Sequence, residues 1–152
     1  MIGITIQMNG LREIMEKIRS LSTEADQMVQ DTLFDSVNAN IAAVAKSLAP
    51  KKTGFLQSSI LVKRGDTPTS VLVVAEAPYA KFLEFGTRPH TIEAKNARAL
   101  HFTMGGREVF AKSVLNPGIE EGKYSFLGPA VQMGWEKVQD DLIALFRQQL
   151  SS

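Results

Sequence analysis

Residues 23–48 read TEADQMVQDTLFDSVNANIAAVAKSL, the longest stretch of the chain with one continuous helical pattern. The apolar residues recur at intervals of three and four, which places them on one face of a helix. They are Ala25, Met28, Val29, Leu33, Val37, Ile41, Val44, Ala45 and Leu48. At a rise of roughly 1.5 Å per residue the helix is about 39 Å long, close to the diameter of a compact domain of this size. We therefore expect a helix from Thr23 to Leu48, capped by the Ser22 hydroxyl and ending before Pro50, to be the central element of the fold.

The residues before this helix predict a strand and a shorter helix. Ile2, Ile4, Ile6 and Met8 alternate with Gly3, Thr5 and Gln7, the pattern of a half-buried strand. Asn9-Gly10 is typical of a turn. From Leu11 to Leu21 the apolar spacing changes to that of an amphipathic helix.

Beyond Pro50 the pattern is richer in strands, with two short helical segments. Proline and glycine positions mark where each element begins or ends. The predicted elements are a helical turn over Gly54–Ser58 capped by Thr53, strands over Ile60–Val62 and Ser70–Ala75, and a short helix over Tyr79–Phe85 that Gly86 ends in a left-handed conformation.

Residues 88–114, which we call the arm, are long for a structureless connection in a chain of this size. Gly105-Gly106 lies between segments that alternate, Ala99–Thr103 and Arg107–Val114, and so predicts a β-hairpin turn. We expect the arm to offer one apolar and one charged edge to a neighbouring subunit. Its candidate interface residues are Arg88, Lys95, Arg98, Phe102, Arg107 and Phe110.

The chain closes with a turn at Asn116-Pro117-Gly118 and an amphipathic helix over approximately Gly128–Leu150. The apolar face of this helix holds Val131, Trp135, Val138, Leu142, Leu145 and Phe146. The layout predicts an α+β fold, in which an antiparallel β-sheet is packed by the long N-terminal helix and the C-terminal helix, with the arm as a β-hairpin. We expect residues 1–152 to form a single domain.

Composition excludes several kinds of function. The 152 residues contain no Cys and two His, which argues against disulfides, thiol catalysis and zinc–thiolate or iron–sulfur sites. The longest uncharged stretch, Tyr124–Trp135, is too short to span a membrane, and residues 1–10 lack the features of a signal peptide. We expect synthesis in the cytoplasm and no membrane partner.

The net charge of +1 is distributed unevenly. Residues 1–49 carry four basic and six acidic side chains, residues 50–114 carry ten and five, and residues 115–152 carry three and five. The basic middle segment fits either a solvated mixed surface or a surface for nucleic acid or an acidic partner.

The residue patterns predict no catalytic site, metal site or cofactor. His90 and His101 lie on different predicted elements without further ligands. Lys52-Thr53-Gly54 matches one element of serine β-lactamases, but no Ser is followed three residues later by Lys. The carboxylate pairs Glu120-Glu121 and Asp140-Asp141 are expected at the surface. Tyr79, Phe82 and Phe85 are expected in the core rather than as a platform for stacked bases.

Four motifs nevertheless resemble, in order, those of a known protein family. They are APKKTGFLQSSI at 49–60, APYAKFLEFGT at 77–87, Pro117-Gly118, and FLGPA at 126–130. The chain is similar through them to the small tail-completion and head–tail joining (neck) proteins of tailed bacteriophages, of the lambdoid siphophage minor tail-component type. Members of that family often have His before the Pro-Gly, where this chain has Asn116.

The resemblance implies a non-enzymatic virion protein located at the neck or tail top. It implies a sixfold ring that joins the tail to the head connector, with tail-terminator or tail-tube proteins as further partners, DNA passing through the lumen, and the arm as the assembly element. It also implies that Thr53-Gly54 forms a capped bend, that Tyr79 and Phe82 anchor the short helix to the sheet, and that Glu84 binds backbone or a basic neighbour. The residues given structural roles by the motifs are Thr53, Gly54, Leu56, Tyr79, Phe82, Glu84, Phe85, Gly86, Thr87, Pro117, Gly118 and Pro129, the last as the start of the terminal helix.

Overall fold

A computed structural model of the protein describes residues 1–151 and shows an α+β fold, as predicted. The strands and helices follow one another in an order close to the expected one, with additional short strands in the arm. The strands are β1 Ile2–Gln7, β2 Ile60–Arg64, β3 Ser70–Ala75, β4 His90–Glu93, β5 Leu100–Met104, β6 Arg107–Ala111 and β7 Ser113–Asn116. The helices are α1 Arg12–Leu21, α2 Ala25–Val37, α3 Ala43–Leu48, α4 Phe55–Ser58, α5 Ala80–Phe85 and α6 Leu127–Ser151.

The main sheet has three antiparallel strands in the order β1-β3-β2. Ile4 lies opposite Val73, which in turn lies opposite Val62, so these side chains share the inner face. Successive residues of a strand alternate between faces, and the alternation read from residues 2–8 therefore places its isoleucines toward the helices. Both edge strands pair with β3, which is nearly buried throughout.

The helix expected over residues 23–48 is present but is not uniformly α-helical. It begins at Ala25, and its middle, Asn38–Ala42, is a π-helical turn between α2 and α3. The Ser22 hydroxyl accepts from the backbone N–H of Glu24 at 3.2 Å, one residue before the helix begins. The helix ends at Leu48, before Pro50, as predicted.

The π-helical turn faces α6 at its closest approach. Gly134 of α6 is buried, and a Cβ atom there would overlap the backbone carbonyl group of Asn40. One turn away on α2, the Ser36 hydroxyl donates to Asp141 Oδ2 at 2.5 Å, and Asn40 Nδ2 donates to the same oxygen at 3.3 Å. Asp141, exposed as predicted, therefore also ties the two helices together.

The core lies between the inner face of the sheet and the layer formed by α2, α3 and α6. Its contributors include Val71 and Val73 from the sheet, Leu33 and Val37 from α2, and Leu142 from α6. Of the predicted apolar face of α6, Val138, Leu142 and Phe146 are buried, while Val131, Trp135 and Leu145 pack at the margin of the core. None of the helices within residues 1–151 combines the length and apolar character needed to cross a membrane.

The arm is a β-hairpin in two parts. Its outer part pairs β5 with β6 across the Gly105-Gly106 turn, where both residues have positive φ, of 59° and 78°. Its inner part pairs β4 with β7, so the strand predicted over Arg107–Val114 is in fact two strands separated at Lys112, and the second continues to Asn116. None of residues 85–125, all described by the structure, is buried.

Candidate functional site: the root of the arm

The second, third and fourth sequence motifs meet where the arm leaves the body of the protein, and Glu84 of the second motif binds the fourth. Its carboxylate accepts hydrogen bonds from the backbone N–H groups of Phe126 and Leu127 through Oε2, both at 2.9 Å. Its other oxygen accepts from the N–H of Gly128 at 2.9 Å and from the Ser125 hydroxyl at 2.8 Å. Of the two partners that the resemblance implied for Glu84, backbone is the one found.

These bonds complete the N-terminus of α6. The first N–H groups of a helix have no partner within it. Here Glu84 supplies an acceptor to Leu127 and Gly128, Pro129 has no N–H, and Ala130 donates to the carbonyl oxygen of Phe126 at 3.3 Å. Pro129 thus lies within the first turn of α6, two residues after the observed start at Leu127, and is not itself the start as predicted. The missing N–H costs no hydrogen bond at this position.

The environment of Glu84 favours its ionised form. Burial by itself raises the pKa of the carboxyl, because it disfavours charge. The hydrogen bonds from Phe126, Gly128 and Leu127, together with Ser125, outweigh burial and hold the pKa of Glu84 below the ordinary value of 4.5. A negative charge is also favoured at the positive end of the α6 dipole.

The two chain segments at the arm root are clamped together immediately beside Glu84. Thr87 and Ile119 exchange backbone hydrogen bonds of 2.9 and 3.0 Å, and the Ile119 N–H also lies 3.0 Å from the Thr87 hydroxyl oxygen. Gly86 and Gly118 make this approach possible, since a Cβ atom on either would overlap backbone of the opposite segment. Gly86 has φ 78° but ψ 178°, so its backbone is not in the left-handed helical conformation that was predicted.

The Pro117-Gly118 motif makes the turn that brings the second segment back. The Asn116 Oδ1 atom accepts from the Gly118 N–H at 2.8 Å. The side chain that replaces the family's histidine thus has a local structural role in this chain.

Thr53, Gly54 and Leu56 lie at the bend that follows α3. Gly54 has φ 81° and precedes α4, the Thr53 Oγ1 atom lies 3.4 Å from the Phe55 N–H, and Leu56 is buried. The predicted helical turn is therefore present, but its N-cap residue is Gly54 and no side chain caps it, so Thr53 does not have the capping role predicted for it. The neighbouring Phe55 side chain points outward, and its ring centroid lies 6.3 Å from that of Tyr79.

The expectation that Tyr79, Phe82 and Phe85 are core residues is wrong, as is the implied role of Tyr79 and Phe82 as anchors. These side chains are 41%, 45% and 65% exposed. The buried face of α5 is formed by Ala80 and Glu84, four residues apart, because that face must place Glu84 against α6. In so short a helix, the aromatic residues three positions apart are left on the opposite side.

The candidate interface residues of the arm occupy different parts of it. Arg88 lies at the root, Lys95 and Arg98 in the segment between β4 and β5, and Arg107 beside the tip; all four are exposed. Phe102 is partly buried opposite Val109, whereas Phe110 is 68% exposed and stacks on His101, with ring centroids 4.5 Å apart. Phe102 and Phe110 therefore lie on opposite faces of the hairpin, not on one apolar edge as expected.

The basic side chains of the middle segment fall into two groups, one that forms ion pairs within the chain and one that does not. Lys63 forms an ion pair with Glu76 at 2.7 Å, and Arg64 pairs with Asp31 at 2.6 Å while stacking on the Phe34 ring. Within the described residues, the basic side chains of the arm form no comparable ion pair. They are Arg88, Lys95, Arg98, Arg107 and Lys112.

Two features of this site are hardly indicated by the sequence. The bond from Glu84 to residues 126–128 spans more than forty positions, and the exposed aromatic surface looked apolar and hence internal. A Glu within a mostly apolar short helix was the one available hint, because a buried carboxylate needs a partner.

Comparison with known proteins gives one match. A family model, HK97-gp10_like, described as "Bacteriophage HK97-gp10, putative tail-component", matches residues 12–86. This confirms the resemblance to phage tail proteins. The match runs from the start of α1 to the arm root, so it includes the first motif and all of the second except Thr87, and excludes the arm. Neither a curated protein nor a solved structure matches the chain significantly.

Proposed function

We propose, from the match of residues 12–86 to the HK97-gp10-like family of phage tail components, that the protein is a non-enzymatic structural part of the virion neck. In this proposal it forms a homo-oligomeric, sixfold ring that joins the tail to the head connector, with DNA passing through the lumen. The tail-terminator or tail-tube proteins are its other partners.

The observation that supports this proposal is the arm, because it contributes no buried residue to the core. Its strands pair only with one another, and two-stranded hairpins are marginally stable alone in water. Met104, Phe110 and Leu115 are each more than 60% exposed, so the hairpin and the strand that extends it leave apolar surface in solvent. A neighbouring subunit would cover this surface and, being net acidic over its helical ends, would attract the unpaired cations of the arm.

The role of the arm is tested by removing its outer part while keeping the inner ladder. Ala94 donates to the Lys112 carbonyl oxygen at 3.0 Å, so an Asn-Gly turn replacing residues 95–111 can join the two strands. We expect this variant to fold as a monomer under conditions where the intact chain forms rings by light scattering and negative-stain microscopy. Unchanged ring formation by the shortened chain would refute the assembly role of the arm.

The place of the protein in the virion is tested by deleting its gene from the phage. We expect filled heads and unjoined tails, and complementation by the intact gene but not by the shortened one. Normal infectious particles from the deletion would show that the proposed joining function is wrong.

Binding of nucleic acid by residues 50–114 is the alternative function. The unpaired cations of the arm favour it, whereas the ion pairs of Lys63 and Arg64 reduce the charge available. It predicts an affinity for DNA whose logarithm falls linearly with the logarithm of salt concentration.

A further inference from the structure

Two apolar clefts lie side by side on the surface that carries the first two sequence motifs. One, of about 680 Å³, lies between α5 and the arm root and is lined in part by Phe82. The other, of about 550 Å³, lies between α4 and α5 and is lined in part by Phe55. Tyr79 and Leu83 line both clefts and form the ridge between them.

The aromatic side chains of this surface are held in place but not covered. Phe55, Tyr79 and Phe82 are each between 41% and 53% exposed, although α4 and α5 are fixed to the body by buried Leu56, Ala80 and Glu84. Contiguous exposed apolar surface beside a cleft is typical of a binding site in a soluble protein.

The charged side chains that line the clefts, or lie against their aromatic rings, are basic. Arg88 lines the first cleft, Lys52 lines the second, and Lys81 Nζ lies 5.1 Å from the centre of the Phe82 ring. None of these three cations takes part in an ion pair within the described part of the chain. No Asp or Glu of residues 1–151 lines either cleft, although the backbone of Glu121 lies against Gly86 at the edge of the first. Glu84, the carboxylate of α5, is turned away toward α6.

We propose that the two clefts bind an acidic segment of another protein that inserts one apolar side chain on each side of the Tyr79–Leu83 ridge. That the partner is a virion protein rests on the proposed function. The acidic and apolar chemistry of its segment is inferred from the clefts alone. The arm of a second copy of this chain fits less well, because it is itself basic and would meet Lys52, Lys81 and Arg88 with the same charge. Docking of a copy through its acidic helical ends is the self-association that the test below distinguishes.

The proposal is tested by fluorescence anisotropy with the full chain and four labelled probes. The main probe is a helical peptide with Trp at positions i and i+4, whose Cβ atoms are about 5–6 Å apart, and Glu at its other exposed positions. The comparison probes are the same peptide with Lys for Glu, the same peptide with Ala for Trp, and an oligothymidine of equal length. We expect the Glu and Trp peptide to bind at least about tenfold more tightly than each of the others, with weaker binding at higher salt.

Matched variants locate the binding. Phe82→Ala and Arg88→Glu should each weaken binding of the main probe by about tenfold or more, an effect of about 1.4 kcal/mol. Phe110→Ala and Arg107→Glu, the same changes near the arm tip, should leave it unchanged. Circular dichroism checks that the Phe82 variant folds, as its half-exposed side chain predicts.

Four outcomes would overturn the proposal. They are no binding of any probe, equal binding of the Lys peptide, tighter binding of oligothymidine, and self-association of the intact chain that Phe82→Ala abolishes. If the chain binds the peptide but never forms rings, the peptide-binding proposal stands and the proposed ring is refuted. If it forms rings but does not bind the peptide, the proposed ring stands and the peptide-binding proposal is refuted.

Discussion

Replacing Glu84 by Ala should destabilise the protein more than any other single change of an acidic residue. The substitution removes the acceptor from the N–H groups of Phe126 and Leu127, both in fully buried residues. Each buried donor left without a partner costs about 1–3 kcal/mol, so we expect a loss of about 4 kcal/mol in the free energy of unfolding. In a chain of this length, that corresponds to a fall of roughly 10 °C in the unfolding midpoint.

Glu84→Gln separates charge from shape in the same site. The amide retains one oxygen but places an NH₂ group against N–H donors, so we expect a loss of about half that of the Ala variant. Urea denaturation followed by circular dichroism measures both losses, with Glu136→Ala, an exposed carboxylate on α6, as the control. A Glu84→Ala variant within about 0.5 kcal/mol of the intact protein would refute the capping role.

The same interaction predicts how stability depends on pH. The folded-state pKa of Glu84 is lower than its unfolded value, so the folded state binds the proton less readily. The stabilisation is therefore fully present above the unfolded pKa, near 4.5, and is lost as the pH falls through the folded pKa. The difference in stability between intact protein and Glu84→Ala should shrink on acidification; a difference constant from pH 7 to pH 3 would contradict the reasoning.

Three further changes test other parts of the structure. Gly134→Ala should lower the free energy of unfolding by about 1–3 kcal/mol despite the better helix propensity of Ala, because the new methyl group meets the Asn40 carbonyl. The control is Ala144→Gly on the exposed face of α6, which should lower it by only about 1 kcal/mol. A Gly134 variant as stable as the intact chain in urea would contradict the close approach. Gly106→Val should lower the ring population seen by light scattering while leaving the unfolding midpoint of the body unchanged, since the turn needs positive φ and the arm adds no buried residue. If the arm binds DNA instead, replacing Arg88, Lys95 and Arg98 by Ser should flatten the dependence of DNA affinity on salt concentration. An unaltered slope would show that these three cations do not contact DNA phosphates.

Elements that depend on neighbouring residues could be predicted from the sequence. The strand at residues 2–7, the helical stretch that ends at Leu48 and the Gly105-Gly106 hairpin are all present, because periodicity, a proline stop and positive φ are local constraints. The prediction of a single strand over Arg107–Val114 was wrong because the division into two strands depends on a contact that is distant in sequence. Its second half pairs with β4, more than twenty positions away, and no local pattern distinguishes that pairing from continuation.

The sequence by itself determined the fold class, the order of elements, the basic middle segment and the resemblance to phage tail proteins, since these follow from composition, period and motif. The tertiary structure alone decided what the motif residues do. Glu84 binds the start of α6, Gly134 admits the π-helical turn, and the aromatic residues of α5 face solvent. Each of these outcomes depends on a contact between two elements that are more than forty positions apart in the chain. In α5, burial of the face that carries Glu84 leaves the aromatic face exposed.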